Sequence, residues 1–262
     1  STIEGNTGSS GVGLEVTGFA NSATLTNVTI TGNHTQNGSK LGAGVRSYKN
    51  ITFNNCTIAG NTGSSGSAGF FFGAGTATLK NTILDNEGNN CSGSHSSSGN
   101  NISNDSSCGS LTDETDQTST DSLLDDLADN GGPVETMALL ENSPAIDAGD
   151  NATCDSEDAR GESRPADGDG DLTATCDVGA YEVICGDGIV DGAEECDDAN
   201  ADNTDSCTNS CESASCGDGF VQDGVEECDN AELNSDENAN ACRTDCSNPI
   251  CGDSVVDDDE SC

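Results

Sequence analysis

The sequence predicts an all-β protein: a right-handed parallel β-helix with a capping segment, followed by small disulfide-rich repeats that bind calcium. A Thr-Ile motif that ends in Asn recurs at steps of 27, 28 and 25 residues near the amino terminus. Only 31% of the 262 residues are hydrophobic and 3% are aromatic, which is too little apolar surface for one conventional core. Fifteen cysteines are present, most of them in the second half of the chain.

Residues 1–110 carry the β-helix repeats. Each repeat has a Gly-flanked apolar stretch, an alternating stretch and the Thr-Ile stretch, which is typical of one coil built from three short strands. Equivalent residues of successive coils stack about 4.8 Å apart, which predicts two inward apolar columns and an asparagine ladder. The first column is Ile3, Ile30, Ile58 and Ile83, the second is Leu25, Phe53 and Leu79, and the ladder is Asn6, Asn33, Asn61 and Asn86. A β-sandwich with accidental spacing is the alternative.

Acidic residues number 48 and basic residues 7, and they are unevenly distributed. Residues 1–100 hold four of each, residues 101–184 hold 21 acids and two bases, and residues 185–262 hold 23 acids and one base. A salt-adapted protein would spread acid over its whole surface, so local cation binding explains this distribution better. A net charge of −41 repels phosphate and excludes nucleic acid as a partner. No apolar run approaches the roughly 20 residues that span a bilayer, so we expect no transmembrane segment.

An acidic region follows the repeats. Three leucines within Asp121–Asp129 have helical spacing, and an Asn-Gly-Gly-Pro turn comes after them. This pattern predicts a short amphipathic helix that covers the open end of the last coil. Arg160 and Arg164 are the only bases of the region, which favours structural ion pairs with acids such as Asp147 or Glu182.

Residues 122–182 carry an ordered series of motifs. They are Leu127-Ala128-Asp129-Asn130-Gly131-Gly132-Pro133, Met137-Ala138-Leu139, Ser143-Pro144-Ala145-Ile146-Asp147-Ala148-Gly149, Asp158-Ala159-Arg160-Gly161, Arg164-Pro165 and Asp177-Val178-Gly179-Ala180-Tyr181-Glu182. The series resembles the choice-of-anchor Q domain, which closes right-handed parallel β-helices of secreted and surface proteins. The resemblance implies that residues 111–184 are the closing segment of an exported surface protein, and it implies no catalytic activity.

An Asp-Gly run between Cys154 and Cys176 places three carboxylates at alternate positions. Glycines let such a backbone curl and turn several oxygens toward one cation, and Ca²⁺ takes about six to eight oxygen ligands. The run resembles the start of an EF-hand or thrombospondin-type calcium loop, without the glutamate at the twelfth place and without flanking helices. The expected calcium ligands are Asp167, Asp169, Asp171 and Asp177. A solvated acidic turn is the alternative. A disulfide between Cys154 and Cys176 would lower the entropic cost of gathering the carboxylates.

Residues 185–262 contain three similar units: full repeats at 185–215 and 216–250 and the start of a third at 251–262. Each begins with Cys-Gly-Asp, both full repeats continue with Glu-Glu-Cys-Asp, and a CxxxC pair closes them. The pattern looks like the myxococcal-type cysteine-rich repeat, DUF4215, which occurs in extracellular proteins. The sequence departs from that pattern at Ala199, where the family has glycine, and at Thr204–Ser206, which replaces Gly-Asp-Gly.

A unit of about 31 residues with almost no core needs other sources of stability, and disulfides with Ca²⁺ supply them. The candidate calcium ligands are Asp187, Glu195, Asp197 and Asp198 in the first repeat and Asp218, Glu227 and Asp229 in the second. Disulfides are favoured over a zinc site, because an exported chain is oxidised. Four cysteines allow three pairings, and the sequence does not choose among them. The cysteines expected to be bridged are Cys185, Cys196, Cys207, Cys211, Cys216, Cys228, Cys242 and Cys246.

Three cysteines lie in the β-helix region. Cys91 and Cys108 flank a Ser/Asn/Gly loop, which predicts a disulfide around a surface excursion. Cys56 lies inside a strand and is expected to be an inert core thiol. Among the Asn-x-Ser/Thr sites, Asn33 and Asn37 are the expected glycan acceptors in a host that glycosylates.

The sequence argues against an enzyme. Pectate-lyase-like β-helices need acids clustered with Arg, Lys or His on one face, whereas the few bases of the coils do not fall at corresponding positions of neighbouring coils. We expect a non-enzymatic, extracellular, adhesive cell-surface stalk whose partners are other copies of itself, neighbouring surface proteins or glycans. A subunit of a fibre that assembles through β-helix ends is the alternative, and a polysaccharide lyase or hydrolase is the least favoured.

Overall fold

A computed structural model describes residues 1–9, 12–18, 22–36, 42–168, 173–192, 194–200, 202–253 and 255–257. The predicted ligands Asp169 and Asp171, the predicted glycan acceptor Asn37 and the last cysteine, Cys262, lie outside the described residues. The chain divides into two compact units. The first is Ser1–Ile184 with Asp191–Ala193, and the second is Cys185–Val190 with Glu194–Cys262.

The first unit is built from β-strands, and no α-helix occurs among the residues that the structure describes. Its parallel strands are β1 (Thr2–Glu4), β2 (Thr7–Gly8), β3 (Leu14–Val16), β4 (Ser22–Thr26), β5 (Thr29–Thr31), β6 (His34–Thr35), β7 (Val45–Ser47), β8 (Asn50–Asn54), β9 (Thr57–Phe72), β10 (Ala77–Lys80), β11 (Ile83–Ser92), β12 (His95–Ser97), β13 (Ile102–Ser103) and β14 (Gln117–Thr118). An antiparallel pair follows, β15 (Leu124–Ala128) with β16 (Thr136–Leu139). The second unit contains a single-turn 3₁₀ helix, Ala231–Leu233.

The parallel strands wind into the coils of a β-helix, as the repeat predicts. One sheet runs in the order β1-β5-β9-β11-β13-β14 and is widened by β2, β3, β6 and β7, while β4, β8, β10 and β12 form another. The stacked pairs are Ile3 with Ile30, Ile30 with Ile58, Leu25 with Phe53 and Phe53 with Leu79. Ile30 and Ile58 are both fully buried, so the predicted inward column is confirmed for these coils.

One member of the predicted column is wrong: Leu84, and not Ile83, pairs with Ile58. The prediction counted three residues back from the ladder asparagine, but the fourth repeat is one residue shorter in its turn. Side chains alternate between the two faces of a strand, so this shift places Ile83 on the outer face. There Ile83 joins Ile102 in a second apolar cluster, separate from the core of the coils.

The predicted asparagine ladder is present. The side-chain Nδ2 of each asparagine donates to the Oδ1 of the next one. The distances are 2.9 Å for Asn6 to Asn33, 2.9 Å for Asn33 to Asn61, 2.8 Å for Asn61 to Asn86 and 2.8 Å for Asn86 to Asn90. The Asn33 nitrogen also donates to the carbonyl oxygens of Ile3 and Thr31. The prediction of a glycan at Asn33 is therefore corrected, because this side chain is fully buried and its nitrogen is engaged within the ladder.

The solenoid is not closed by the predicted helix. Residues Leu124–Ala128 of Asp121–Asp129 form strand β15, because pairing with β16 outweighs the helical spacing of the leucines. The apolar side chains that join the core of the coils near this end are Cys108 and Leu111, in the loop after β13, and not the leucines of the predicted helix. The Cys91–Cys108 disulfide forms, but it is buried in that core rather than enclosing a surface excursion.

Candidate functional site

A second row of asparagines lies where the β4–β8–β10–β12 sheet turns into the next coil. Asn27, Asn55, Asn81 and Asn100 have φ values of 53°, 46°, 45° and 55°, the left-handed conformation that asparagine tolerates better than most residues. Sequence analysis missed this row. The signal was an asparagine two residues before the first residue of strands β5, β9, β11 and β13.

This row anchors the closing segment (residues 111–184) along the side of the solenoid. The side chains of Asn27 and Asn100 donate to the carbonyl oxygens of Glu157 at 2.7 Å and of Ala148 at 2.8 Å. Asn81 lies in a coil between those of Asn27 and Asn100, and its Oδ1 accepts the N–H of Asp150 at 3.1 Å. The segment therefore lies across successive coils, and the expectation that it caps the end is corrected.

Apolar contacts complete this docking. Ile83 and Ile102 on the outer face of the solenoid pack with Leu139, Val178 and Tyr181 of the closing segment, all of them buried. At the contact, Gly179 has a φ of +108°, and a Cβ there would come within 2.8 Å of Ile83 Cδ1 and 2.9 Å of Thr57 Oγ1. Around Ile83 and Ile102 the outer face of the first sheet is thus covered by the chain itself.

The two arginines of the closing segment are buried in ion pairs, which confirms the prediction of structural ion pairs. Arg160 pairs with Asp158 at 2.8 Å, and its guanidinium lies 3.8 Å from the centre of the Tyr181 ring. Arg164 pairs with Glu182, one of the two acids suggested from the sequence, at 3.2 Å. Both arginines also donate to backbone carbonyls, so the pairs brace the fold of the segment.

Asp177 and Glu182 are buried neighbours, and the N–H of Asp177 donates to Glu182 at 2.9 Å. Burial, and next the charge of Glu182, raises the pKa of Asp177 well above its usual range. Burial raises the pKa of Glu182 to about 7 against the opposing charge of Arg164. The prediction of Asp177 as a calcium ligand is corrected, because its two oxygens accept the N–H groups of Asp147 and Val183 within the protein interior.

Part of the predicted Asp-Gly calcium loop is described. Cys154 and Cys176 form the disulfide that brackets it. The N–H of Gly168, next to Asp167, donates to Asp147 Oδ2 at 3.0 Å, so Asp147 approaches the start of the loop. Asp147 was not among the predicted ligands, and its own φ is +50°.

In the second unit, the first repeat is organised around the carboxylate of Asp197. Its oxygens accept the N–H groups of Gly186 at 2.7 Å, Asp187 at 3.1 Å, Gly188 at 2.8 Å and Ala199 at 2.8 Å. Gly186 and Gly188 have φ values of 93° and 88°, which glycine adopts readily. The backbone N–H groups of Gly186, Asp187 and Gly188 therefore all donate to one carboxylate, and Asp197 stabilises this turn.

The second repeat has the same arrangement at Asp229, which accepts the N–H groups of Gly217 at 2.8 Å, Gly219 at 3.2 Å and Ala231 at 2.6 Å. Burial opposes ionisation of Asp229, but these donors outweigh it and hold the pKa of Asp229 below its usual range. Asp197 and Asp229 are thus occupied by backbone amides in equivalent turns.

Four other predicted ligands also accept backbone N–H groups, Asp187 and Asp218 from two residues ahead and Glu195 and Glu227 from 18 and 21 residues ahead. The acceptor–donor pairs are Asp187 with Ile189, Asp218 with Phe220, Glu195 with Ser213 and Glu227 with Asn248. The structure does not bring these carboxylates together: among the described residues, compact groups of three potential metal-ligating side chains occur only at Cys185, Glu194 and Cys211 and at Cys216, Glu226 and Cys246. The cysteines of both groups are joined in disulfides and offer no thiolate to a metal.

One pair of carboxylates in the first repeat interacts directly. Asp198 and Asp205 approach within hydrogen-bonding distance, and this contact raises the pKa of Asp198. The side chain of Asn200 donates to Asp205 at 2.9 Å. This hydrogen bond lowers the pKa of Asp205, and the N–H of Cys207 and the contact with Asp198 lower it further. Asp198 was predicted, whereas Asp205 was missed because it lies in the stretch that departs from the family pattern.

Nested disulfides complete both repeats. The outer and inner bridges are Cys185–Cys211 and Cys196–Cys207 in the first repeat and Cys216–Cys246 and Cys228–Cys242 in the second. Of the three pairings that the sequence left open, both repeats use the one in which the first cysteine joins the last. Cys251 is disulfide-bonded as well. Cys56 is a free thiol, fully buried, and burial raises its pKa to about 11.

The comparisons with known proteins concern this part of the chain. Residues 173–212 match DUF4215, a domain of unknown function. The match covers residues 185–212 of the first cysteine-rich repeat and begins twelve residues before Cys185, within the end of the closing segment. No curated protein and no solved structure matches the chain. Within the described ranges, no helix has the length and apolarity to cross a membrane. Many disulfides are typical of secreted and extracellular proteins, and the β-rich fold is compatible with a structural role outside the cell.

Proposed function

We propose that this protein is a non-enzymatic, adhesive structural protein of the cell surface, a β-helical stalk stabilised by disulfides and calcium. The observation that carries the proposal is the covered outer face of the solenoid. The closing segment packs on Ile83 and Ile102, and its Ala180 N–H donates to the buried Thr57 hydroxyl. Because this part of the outer face is buried within the chain and stabilises it, the solenoid is suited to act as a rigid spacer.

The same observation supports the absence of catalysis. Where the closing segment covers Ile83 and Ile102, this face is buried and a substrate chain cannot reach it. The two histidines contact Thr62 and the carbonyl of Gly93 and are not paired with a carboxylate in those contacts. Incubation of the full chain with uncharged and acidic polysaccharides should release neither reducing ends nor unsaturated products, and release of either would refute this part of the proposal.

The resemblance of residues 122–182 to the choice-of-anchor Q domain supports export to the cell surface. Its motifs coincide with the buried ion pairs of Arg160 and Arg164 and with the docking glycine, Gly179. We infer that the motifs encode a segment that reinforces a surface solenoid. Electron microscopy of the native assembly tests the architecture: single elongated particles support a stalk, whereas axial filaments that join β-helix ends support the fibre alternative.

Calcium is proposed to bind in the first repeat at Asp198 and Asp205, with the loop that contains Asp167 as a second position. Two carboxylates in contact repel each other when both are ionised, and a divalent cation relieves that repulsion. Calcium that binds only the native state would raise the unfolding free energy by about 3 kcal/mol at 100 times its Kd.

The test is thermal unfolding of the full chain with calcium and with excess chelator at constant ionic strength. Calcium should raise the Tm of the second unit, and Asp205→Asn should remove most of that increase. Asp245→Asn is the control, because Asp245, like Asp205, accepts the backbone N–H of the residue two positions ahead. An unchanged Tm in chelator, or equal effects of the two variants, would contradict the calcium site.

A further inference from the structure

An open groove of about 470 Å³ lies in the first unit, outside every site described above. One side of the groove comes from the outer face of the solenoid at β9 and β11, and its floor comes from β15, β16 and the residues that flank them. Its volume falls in the range of pockets that hold ligands of drug size or a few peptide side chains.

The floor of the groove is apolar. Leu123, Leu124, Met137 and Leu140 line it. Leu140 is 42% exposed, one of two large apolar side chains of the first unit that the described structure leaves so accessible. Leu123 has a φ of +49°, which is a strained conformation for a bulky residue. An exposed apolar floor beside a strained residue indicates a surface that another molecule covers.

The rim of the groove is acidic. Asp85, Glu87 and Asp121 line it, and none of the described residues that line the groove is a lysine, arginine or histidine. Asp85 accepts hydrogen bonds from Asn104 at 2.6 Å and from Ser122 at 2.5 Å, which fixes one carboxylate at the edge. The three carboxylates do not form a compact metal-ligating group among the described residues. The rim therefore fits an extended organic cation better than a single metal ion.

We propose that this groove binds a basic, apolar peptide segment of a partner protein, in which an arginine or lysine lies beside aliphatic side chains. The aliphatic side chains would cover Met137 and Leu140, and the cation would lie against Glu87 and Asp121. Opposite charge selects the partner and speeds its encounter, while the apolar floor supplies affinity. This inference goes beyond the proposed stalk function and does not depend on calcium.

Met137 is the only methionine of the chain, so its labelled methyl group is a single NMR reporter inside the groove. The probe is the blocked peptide acetyl-Leu-Arg-Val-Lys-Leu-amide, titrated into the full chain. We expect a saturable shift of the Met137 methyl signal. The peptide acetyl-Gly-Arg-Gly-Lys-Gly-amide has the same charge without the apolar side chains and should bind about tenfold more weakly.

Because the chain is strongly acidic, the variants must separate groove binding from general attraction of a basic peptide. Glu87→Lys should weaken binding about tenfold, whereas Glu114→Lys, an exposed acid outside the groove, should change it less than twofold. Leu140→Ser should weaken binding, and Leu233→Ser, which removes an exposed leucine of the second unit, should not. The methyl signal itself shows that each variant is folded.

The proposal is overturned if the Met137 signal does not move at millimolar peptide. It is equally overturned if the two peptides bind alike, or if Glu87→Lys and Glu114→Lys weaken binding equally, since those results indicate attraction to the acidic surface as a whole. None of these outcomes bears on calcium binding or on the absence of catalysis, so failure here leaves the proposed function standing.

Discussion

Removal of one ladder asparagine should destabilise the whole first unit. The side chain of Asn61 is fully buried and makes five hydrogen bonds. Its Nδ2 donates to Ile30 O at 2.8 Å, Ala59 O at 3.1 Å and Asn86 Oδ1 at 2.8 Å, and its Oδ1 accepts the backbone and side-chain nitrogens of Asn33 at 3.1 and 2.9 Å. Asn61→Ala removes all five at once.

The expected loss of unfolding free energy is about 5 kcal/mol. Each net hydrogen bond contributes about 1 kcal/mol, and a buried donor left without an acceptor costs about 1–3 kcal/mol. The backbone N–H of Asn33 becomes such a donor, whereas the Asn33 side chain keeps Ile3 O and Thr31 O as acceptors. A loss of this size is a large fraction of the stability of an ordinary domain.

The assay is urea unfolding of the full chain with its disulfides intact, followed by circular dichroism and by the reactivity of the buried Cys56 thiol. Asn6→Ala is the matched control, because Asn6 is exposed at the end of the ladder and donates only to Asn33. It should cost about 1 kcal/mol or less. Equal, small losses for both variants would refute the view that the ladder is a cooperative, buried network.

Three further predictions address the closing segment and the core. Because the pKa of Glu182 is raised to about 7 in the folded state, its stabilising contribution is complete below about pH 4.5, and about 3 kcal/mol is lost as pH rises toward 7. Tm measured against pH should fall over this range, and Glu182→Gln should reduce the slope, the remainder coming from the raised pKa of Asp177. Gly179→Ala should destabilise docking of the segment by about 2 kcal/mol, seen as faster amide exchange there, since its Cβ would meet Ile83 Cδ1 at 2.8 Å. Cys56, with a pKa of about 11, should resist iodoacetamide at pH 8 until urea unfolds the first unit, and rapid native labelling would contradict its burial.

The sequence predicted the coils well because stacked coils repeat the same local pattern. Alternation between inward and outward residues placed Ile30 over Ile58 and Phe53 over Leu79, and the structure has both contacts. The same alternation makes errors abrupt. A turn that is one residue shorter moved Ile83 to the opposite face, and the missing glycine before Asn86 was the sequence signal for this shift.

The candidate calcium site was predicted only in part, since carboxylates in a repeat motif look alike in sequence. The fold gives them different tasks: Asp197 and Asp229 bind the amides of their own turns, while Asp198 meets Asp205, seven residues farther along the chain. Whether a carboxylate has free oxygens depends on which backbone amides point at it. That is a property of the folded turn and not of its composition.

What the sequence by itself determined is the β-helix with its asparagine ladder, the oxidised cysteine-rich repeats and the existence of buried arginine pairs. These follow from periodicity, from cysteine content and from isolated charges, each of which is visible within a short stretch of chain. Only the tertiary structure decided that the closing segment lies along the side of the coils. Its anchors join Asn27 to Glu157 and Asn100 to Ala148, residues 130 and 48 positions apart, and contacts at such separations leave no periodic trace in the sequence.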